Sequence, residues 1–135
     1  MEKIVFWKDR EKQLVDPQLF SKTAEDLAKE IAKDSRNIRN SNKRTQIRKF
    51  YDEIVRLTML SKTRPKEEWE QLLPLVHMIT AKAAYANGRN KLISDDFLRF
   101  LKTSIEQIKE PEDLNVFSNF FEAFMGFYRL HGPKN

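Results

Sequence analysis

Residues 111–131, PEDLNVFSNFFEAFMGFYRLH, are the part of the sequence that decides the class of fold. Pro111 suits the first position of an α-helix, and apolar residues recur after it at intervals of three and four. Phe120 and Phe127 widen the apolar arc onto a second side. Such a helix is either the central one of a bundle or one that presents a second face to a partner, with Phe120 and Phe127 as candidate contacts. The main stripe comprises Leu114, Phe117, Phe121, Phe124, Met125 and Tyr128.

Two helices are predicted in the first half of the chain. Asp16 and Pro17 mark the start of the first helix, with Val15 placed to pack on Phe20. The polar run 40–42 is expected to cap a second helix that ends near residue 61. The predicted buried residues are Phe20, Ala24, Leu27, Ala28 and Ile31 in the first helix, and Ile47, Phe50, Tyr51, Ile54, Leu57 and Thr58 in the second.

Two more helices are predicted between these and the Phe-rich segment. Pro65 opens a third helix that ends at Gly88, where a left-handed glycine is the expected cap. Pro74 lies inside it and cannot donate a backbone hydrogen bond, so the helix is expected to be kinked or broken there. Ser94, with two aspartates after it, is expected to start the fourth helix.

These patterns predict an all-α fold, a single compact bundle of about five helices. The length of 135 residues suits one domain, so residues 1–135 are expected to form a single helical domain. The N-terminal segment, residues 1–15, has no clear pattern and its structure is uncertain from sequence. Only residues 4–7 show the alternation of a strand.

Composition excludes several kinds of chemistry. The chain has no Cys and only two His, so disulfides, thiolate chemistry and Cys-based zinc sites are absent. His77 and His131 are far apart in sequence, and both are expected to be structural. We predict no metal, no cofactor and no enzymatic activity. Because no apolar run approaches the roughly 20 residues that span a bilayer, we expect a cytoplasmic protein with no membrane contact.

Positive charge is concentrated in one part of the chain. Residues 36–64 contain nine Lys and Arg against Asp52 and Glu53, an excess of +7 that is larger than the net charge of +5 for the whole protein. Such a block attracts polyanions, of which nucleic acid is the commonest in a cell. The alternative is an ordinary solvated face. The nine cations are Arg36, Arg39, Lys43, Arg44, Arg48, Lys49, Arg56, Lys62 and Arg64.

Two groups of cations are candidate binding residues. Lys43, Arg44, Arg48 and Lys49 lie at the start of the second helix, where the helix dipole disfavours cations, so stability alone does not explain them. Their side chains and the free backbone N–H groups there would form a site for phosphate. The second group surrounds the end of the third helix, where cations also simply stabilise a helix C-terminus. It consists of Lys82, Arg89 and Lys91.

Three motifs in order resemble a known family. They are TQIRKFYDEI at residues 45–54, KAAYANGR at 82–89 and FEAF at 121–124. In this order and spacing the chain resembles the small α-helical subunit of the type III-A CRISPR effector complex. The resemblance implies a non-catalytic protein present as several stacked copies or a dimer, with guide (CRISPR) RNA, target RNA, backbone subunits and the large subunit as partners. By motif position it assigns RNA contacts to Arg48, Lys49 and Arg89.

Two functions are therefore compatible with the sequence. The first is sequence-independent binding of the guide–target RNA duplex through Lys and Arg contacts to its backbone. Most of the 15 aromatic residues fall on predicted core faces, so base stacking is not expected to be the main contact. The second is a helical adaptor that associates with itself through the Phe-rich fifth helix and has no direct role with RNA.

Overall fold

The computed structural model describes residues 3–135 and is an all-α bundle, as predicted. In the described part of the chain no β-strand forms, and a single bridge joins Asp9 to Leu14. A π-helical turn precedes the first α-helix and a 3-10 turn precedes the third. The five α-helices are α1 Ala24–Asn37, α2 Arg44–Thr63, α3 Trp69–Gly88, α4 Asp95–Ile105 and α5 Pro111–His131.

Helix α5 is the central helix of the bundle. It packs against α1 and α2, and its phenylalanines interlock with Phe97 and Phe100 of α4. Phe120 is 0% exposed, so the prediction that it forms a partner contact is wrong. The wide apolar arc exists because neighbours surround this helix. Phe127 is half-buried and packs against the core.

At the start of the first helix, the residue that faces the core is not the predicted one. The backbone N–H of Thr23 donates to the carbonyl of Gln18, a five-residue step that makes Leu19–Thr23 a π-helical turn. The wider turn rotates Leu19 into the core and leaves Phe20 exposed, so the prediction of a buried Phe20 is wrong. The predicted cap at Asp16 is wrong, because the helical residues begin at Leu19 with Gln18 at the N-cap position and no side-chain cap. Asp16 Oδ1 instead accepts from the backbone N–H of Gln18 at 2.8 Å, in a turn just before the helix.

The loop between α1 and α2 has a different role from the predicted cap. Lys43 is the N-cap residue of α2 and makes no side-chain cap. Asn42 is fully buried in a left-handed conformation (φ 58°), and its side chain hydrogen-bonds Ser94 and the carbonyl of Ile31. Asn42 therefore joins this loop to the start of α4 and the middle of α1, and caps no helix.

Helix α3 continues through Pro74 without interruption, so the interpretation of two short helices is wrong. Pro74 and Glu70, whose carbonyl loses its helical donor, are both exposed, which leaves that carbonyl open to water. Gly88 is the last helical residue and is not left-handed; in the turn after it, Asn90 and Lys91 adopt the left-handed conformation. The predicted starts of α4 at Ser94 and of α5 at Pro111 are confirmed.

The N-terminal segment packs on the bundle, with no regular secondary structure in residues 3–7. Ile4 and Phe6 are buried, and Phe6 stacks on Phe117 at a ring distance of 5.8 Å. The side chain of Gln107 donates to the carbonyl of Ile4 at 2.6 Å. Among the described residues, no helix has the length and apolar character needed to cross a membrane.

Candidate nucleic-acid interface

Helices α2 and α3 enclose a groove of about 620 Å³ that is lined by basic side chains. The two helices run antiparallel, so Gln46 near the start of α2 faces the same groove as Arg89 after the end of α3. The floor is apolar and includes Phe50 and Ile79. The cations along it are Lys49, Arg56, Lys82 and Arg89. Three of the seven cations predicted from sequence therefore converge on one surface.

Helical spacing explains the convergence. Lys49, Glu53 and Arg56 recur at four and three on α2, so they lie along one face of that helix. Arg89 is the C-cap residue of α3, seven residues after Lys82, and lies at the end of the same face. Because the connection between α2 and α3 is short, the two helices pack antiparallel, and these two faces lie side by side. Neither Lys49 nor Arg89 forms an ion pair within residues 3–135, and both side chains are exposed.

Glu53 balances part of the charge in this groove. Its Oε1 accepts from Arg56 Nε at 2.6 Å, and its Oε2 lies 3.3 Å from Lys82 Nζ. The hydrogen bond from Arg56 and that from Lys82 outweigh the effect of burial and lower the pKa of Glu53. Four cations and the two acids Glu53 and Asp52 line the groove, so its net charge is +2.

The basic residues at the start of α2 do not form one cluster with the groove. Arg48 is exposed, lies 3.8 Å from Asp52 and does not line the groove. Its helical neighbour Tyr51 packs on Phe121 of α5, which puts Arg48 towards the α5 side. Lys49 faces α3. The adjacent pair predicted to act together therefore projects over two different edges of α2.

Arg44 is tied to the end of α5. Its Nη2 donates to the carbonyl of Arg129 at 2.7 Å, and its backbone N–H donates to the carbonyl of Asn135 at 3.0 Å. The sequence predicted that the backbone N–H groups at the start of α2 are free to bind phosphate. For Arg44 this is wrong, because its N–H group is already bonded to Asn135. Lys43 is half-exposed beside it.

Lys91 also makes a local contact. It lies outside the groove and its Nζ pairs with Asp95 Oδ1 at 2.6 Å. Hydrogen bonds from Lys91 and Asn87 lower the pKa of Asp95. This geometry agrees with the structural interpretation that the sequence left open for this group, whereas Lys82 and Arg89 of the same group enter the groove.

Three groove residues were not singled out from sequence. Arg56 was counted in the basic block, but its place on the groove depends on the packing of α3. Gln46 lies in the first motif but was assigned no contact. Tyr85 belongs to the second motif but was given no role of its own; it is 69% exposed on the groove wall. Its exposure follows from the helical rotation: Ala83 is buried, and a residue two positions later lies about 200° round the helix, on the opposite side.

The two histidines lie apart from this surface. His77 is on the exposed side of α3, and Nε2 of His131 lies 2.7 Å from Oε2 of Glu25, joining α5 to α1. Within residues 3–135 no three His, Asp or Glu side chains are arranged to hold a metal ion.

Fold and groove together define a small, basic, all-α protein with a surface suited to a polyanion. A family model described as Csm2 Type III-A matches residues 15–134, which include all five helices, and the chain belongs to this family, a small subunit of the type III-A CRISPR Csm complex. The family is a structural subunit of that effector complex. No curated protein gives a significant match, and no solved structure does.

Proposed function

We propose that this protein binds the backbone of the guide–target RNA duplex in a type III-A CRISPR ribonucleoprotein, without sequence specificity and without catalysis. Copies of it stack along the filament of backbone subunits, in the cytoplasm, as part of antiviral defence. The groove between α2 and α3 is the RNA-binding surface. The observation that supports this most directly is the convergence of Lys49, Lys82 and Arg89 from two separate motifs on that groove.

The chemistry of the groove suits phosphate contacts. Lys and Arg bind phosphate oxygens and displace counterions, and this supplies affinity that does not depend on base sequence. A clamp that follows a guide of any sequence needs this property. Lys49 and Arg89 are exposed and unpaired in the described chain, so they reach RNA without breaking an existing ion pair. Arg48 would extend the contact over the other edge of α2.

The adaptor function loses its main support. It rested on an exposed second face of α5, and Phe120 on that face is fully buried. Phe127 remains a proposed partner contact, because it is partly exposed. Stacking of copies is part of the proposed assembly and does not require the adaptor function.

The test compares two double variants of equal charge. Lys49→Ala/Arg89→Ala removes two groove cations, and Lys29→Ala/Lys33→Ala removes two exposed cations of α1. Fluorescence anisotropy measures the binding of each to two labelled RNA duplexes of unrelated sequence at several salt concentrations. We expect the groove variant to lose several-fold affinity for both duplexes. Its plot of log affinity against log salt should be shallower by about 0.7–0.9 for each phosphate that the variant no longer neutralises.

The control variant should bind with nearly wild-type affinity. Equal losses in the two double variants would mean that only net charge matters and would contradict the groove. Wild-type affinity in the groove variant would exclude this surface as the binding site. A loss for one duplex and not the other would contradict binding without sequence specificity.

A further inference from the structure

The ring of Tyr85 stands exposed on the wall of the α2–α3 groove, and contacts to phosphate do not use it. Tyr85 is 69% exposed, although large aromatic side chains contribute most to folding when they are buried. The polar neighbours Lys82 and Asn87 bond to Glu53, Ile93 and Asp95, and no hydrogen bond within residues 3–135 uses the Tyr85 hydroxyl. Neither packing nor hydrogen bonding in the chain itself therefore explains an aromatic residue at this position.

The residues around Tyr85 keep its ring uncovered. On a helix surface its neighbours are the residues three and four positions away, which are Ala81, Lys82, Gly88 and Arg89. Two of these are small, and a side chain at Gly88 would meet no atom within 4 Å. The other two are cations that line the same groove. The ring thus has open space on its surface and a positive charge on each side along the helix.

We propose that Tyr85 stacks on the base of an unpaired RNA nucleotide, whose flanking phosphates contact Lys82 and Arg89. This inference rests on the proposed function and adds a preference for single-stranded positions. Lys82 and Arg89 are seven residues apart, about 10 Å along the helix axis, which leaves room for one nucleotide between their long side chains.

Stacking on an aromatic ring agrees with binding that ignores sequence. Every base has a π-face, so a stacked base adds affinity without being identified. In a duplex both faces of a base are covered by neighbouring base pairs, and the ring of Tyr85 then has no partner. The groove therefore binds duplex RNA through its cations alone and single-stranded RNA through its cations and Tyr85 together.

The test uses Tyr85→Leu, which keeps an apolar side chain and removes the π-face. Tyr85→Phe retains the ring, and Met78→Ala is a matched control, since Met78 is 55% exposed on the same helix and does not line the groove. Anisotropy measures the binding of the full chain to a single-stranded oligoribonucleotide of mixed sequence and to a blunt duplex. Inorganic polyphosphate, a polyanion without bases, serves as the third probe.

We expect Tyr85→Leu to weaken single-strand binding by about fivefold or more, and to leave duplex and polyphosphate binding within about twofold of wild type. Tyr85→Phe and Met78→Ala should bind all three probes like the wild type. An unchanged single-strand affinity for Tyr85→Leu would overturn the inference. Equal losses on all three probes would overturn it as well, because the effect would then not depend on a base.

The two proposals fail in different ways. If Lys49→Ala/Arg89→Ala loses affinity and Tyr85→Leu does not, the groove binds RNA and the stacking inference alone is wrong. If neither variant differs from the wild type on any RNA, the groove is not the RNA-binding surface and both are wrong.

Discussion

Trp7 Nε1 donates a 2.8 Å hydrogen bond to Oδ1 of Asp113, which ties the N-terminal segment to the first turn of α5. Asp113 is 1% exposed, and its Oδ2 accepts from Arg10 at 2.8 Å. The same oxygen accepts from the backbone N–H groups of Lys109 and Glu110 at 2.9 and 3.0 Å. One buried carboxylate thus completes the helix start and holds the N-terminal segment in place.

We predict that Asp113→Asn destabilises the protein most strongly near neutral pH. An amide has one acceptor oxygen; if that oxygen faces Arg10 and the two backbone N–H groups, its NH2 group meets the Trp7 N–H, where donor faces donor. The negative charge that Arg10 pairs with is lost as well, so the expected cost is about 2–3 kcal/mol. Burial raises the pKa of Asp113, but hydrogen bonds from Arg10, Trp7 and the backbone outweigh it and lower the pKa overall. Because the folded-state pKa is depressed, the stabilisation is present above the unfolded pKa of about 3.9 and is lost as pH falls through the lower folded value.

Urea denaturation at several pH values measures this difference. The gap between wild type and Asp113→Asn should be full at pH 7 and shrink as the solution is made more acidic than pH 4. Asp26→Asn is the control, because Asp26 forms an exposed ion pair with Lys22 that contributes little. A gap of constant size down to pH 2 would contradict the assigned role of the carboxylate.

A second prediction separates a structural cation from a binding one. Arg44→Ala removes the hydrogen bond to the carbonyl of Arg129 at the end of α5, and we expect a loss of about 1 kcal/mol, or about 4 °C in the midpoint of thermal unfolding. Arg48→Ala removes an exposed side chain whose nearest carboxylate is 3.8 Å away, and should unfold at the wild-type temperature. Circular dichroism measures both. If Arg44→Ala unfolds like the wild type but binds RNA more weakly, its main role is contact with RNA.

Short-range sequence patterns were sufficient to predict most of the helices. They failed where contacts between residues far apart in the chain decide which side chains are buried. Ser94 and Pro111 fix the starts of α4 and α5 through their own backbone chemistry, and sequence placed both correctly. The choice between Leu19 and Phe20 depends on a π-helical turn that no spacing rule predicts. In the sequence Asn42 looks like a cap because it is a polar residue just before a helix. Its actual partner, Ser94, lies 52 residues away, and no local pattern indicates that contact. The burial of Ile4 and Phe6 has the same cause, since Gln107 and Phe117 are remote in the chain.

The candidate site shows the same division. Sequence identified Lys49, Lys82 and Arg89 as cations of interest, but only the antiparallel packing of α2 and α3 shows that they share a groove. Sequence grouped Lys49 with Arg44 because they are close along the chain. The guanidinium of Arg44 instead lies at the end of α5, a contact across 85 residues. Charge counts locate cations along a helix, whereas packing decides which of them face the same ligand.

The acid inside the groove gives the last prediction. Glu53 draws Arg56 and Lys82 towards itself, so Glu53→Gln should raise RNA affinity by about threefold, the effect of removing one like-charged group about 7 Å from a phosphate in water. The salt dependence of binding should become steeper, because two cations are released towards the ligand. Glu106→Gln, an exposed change outside the groove, should leave binding unchanged. Anisotropy with duplex RNA measures both, and weaker binding by Glu53→Gln would show that the acid is needed to position the two cations.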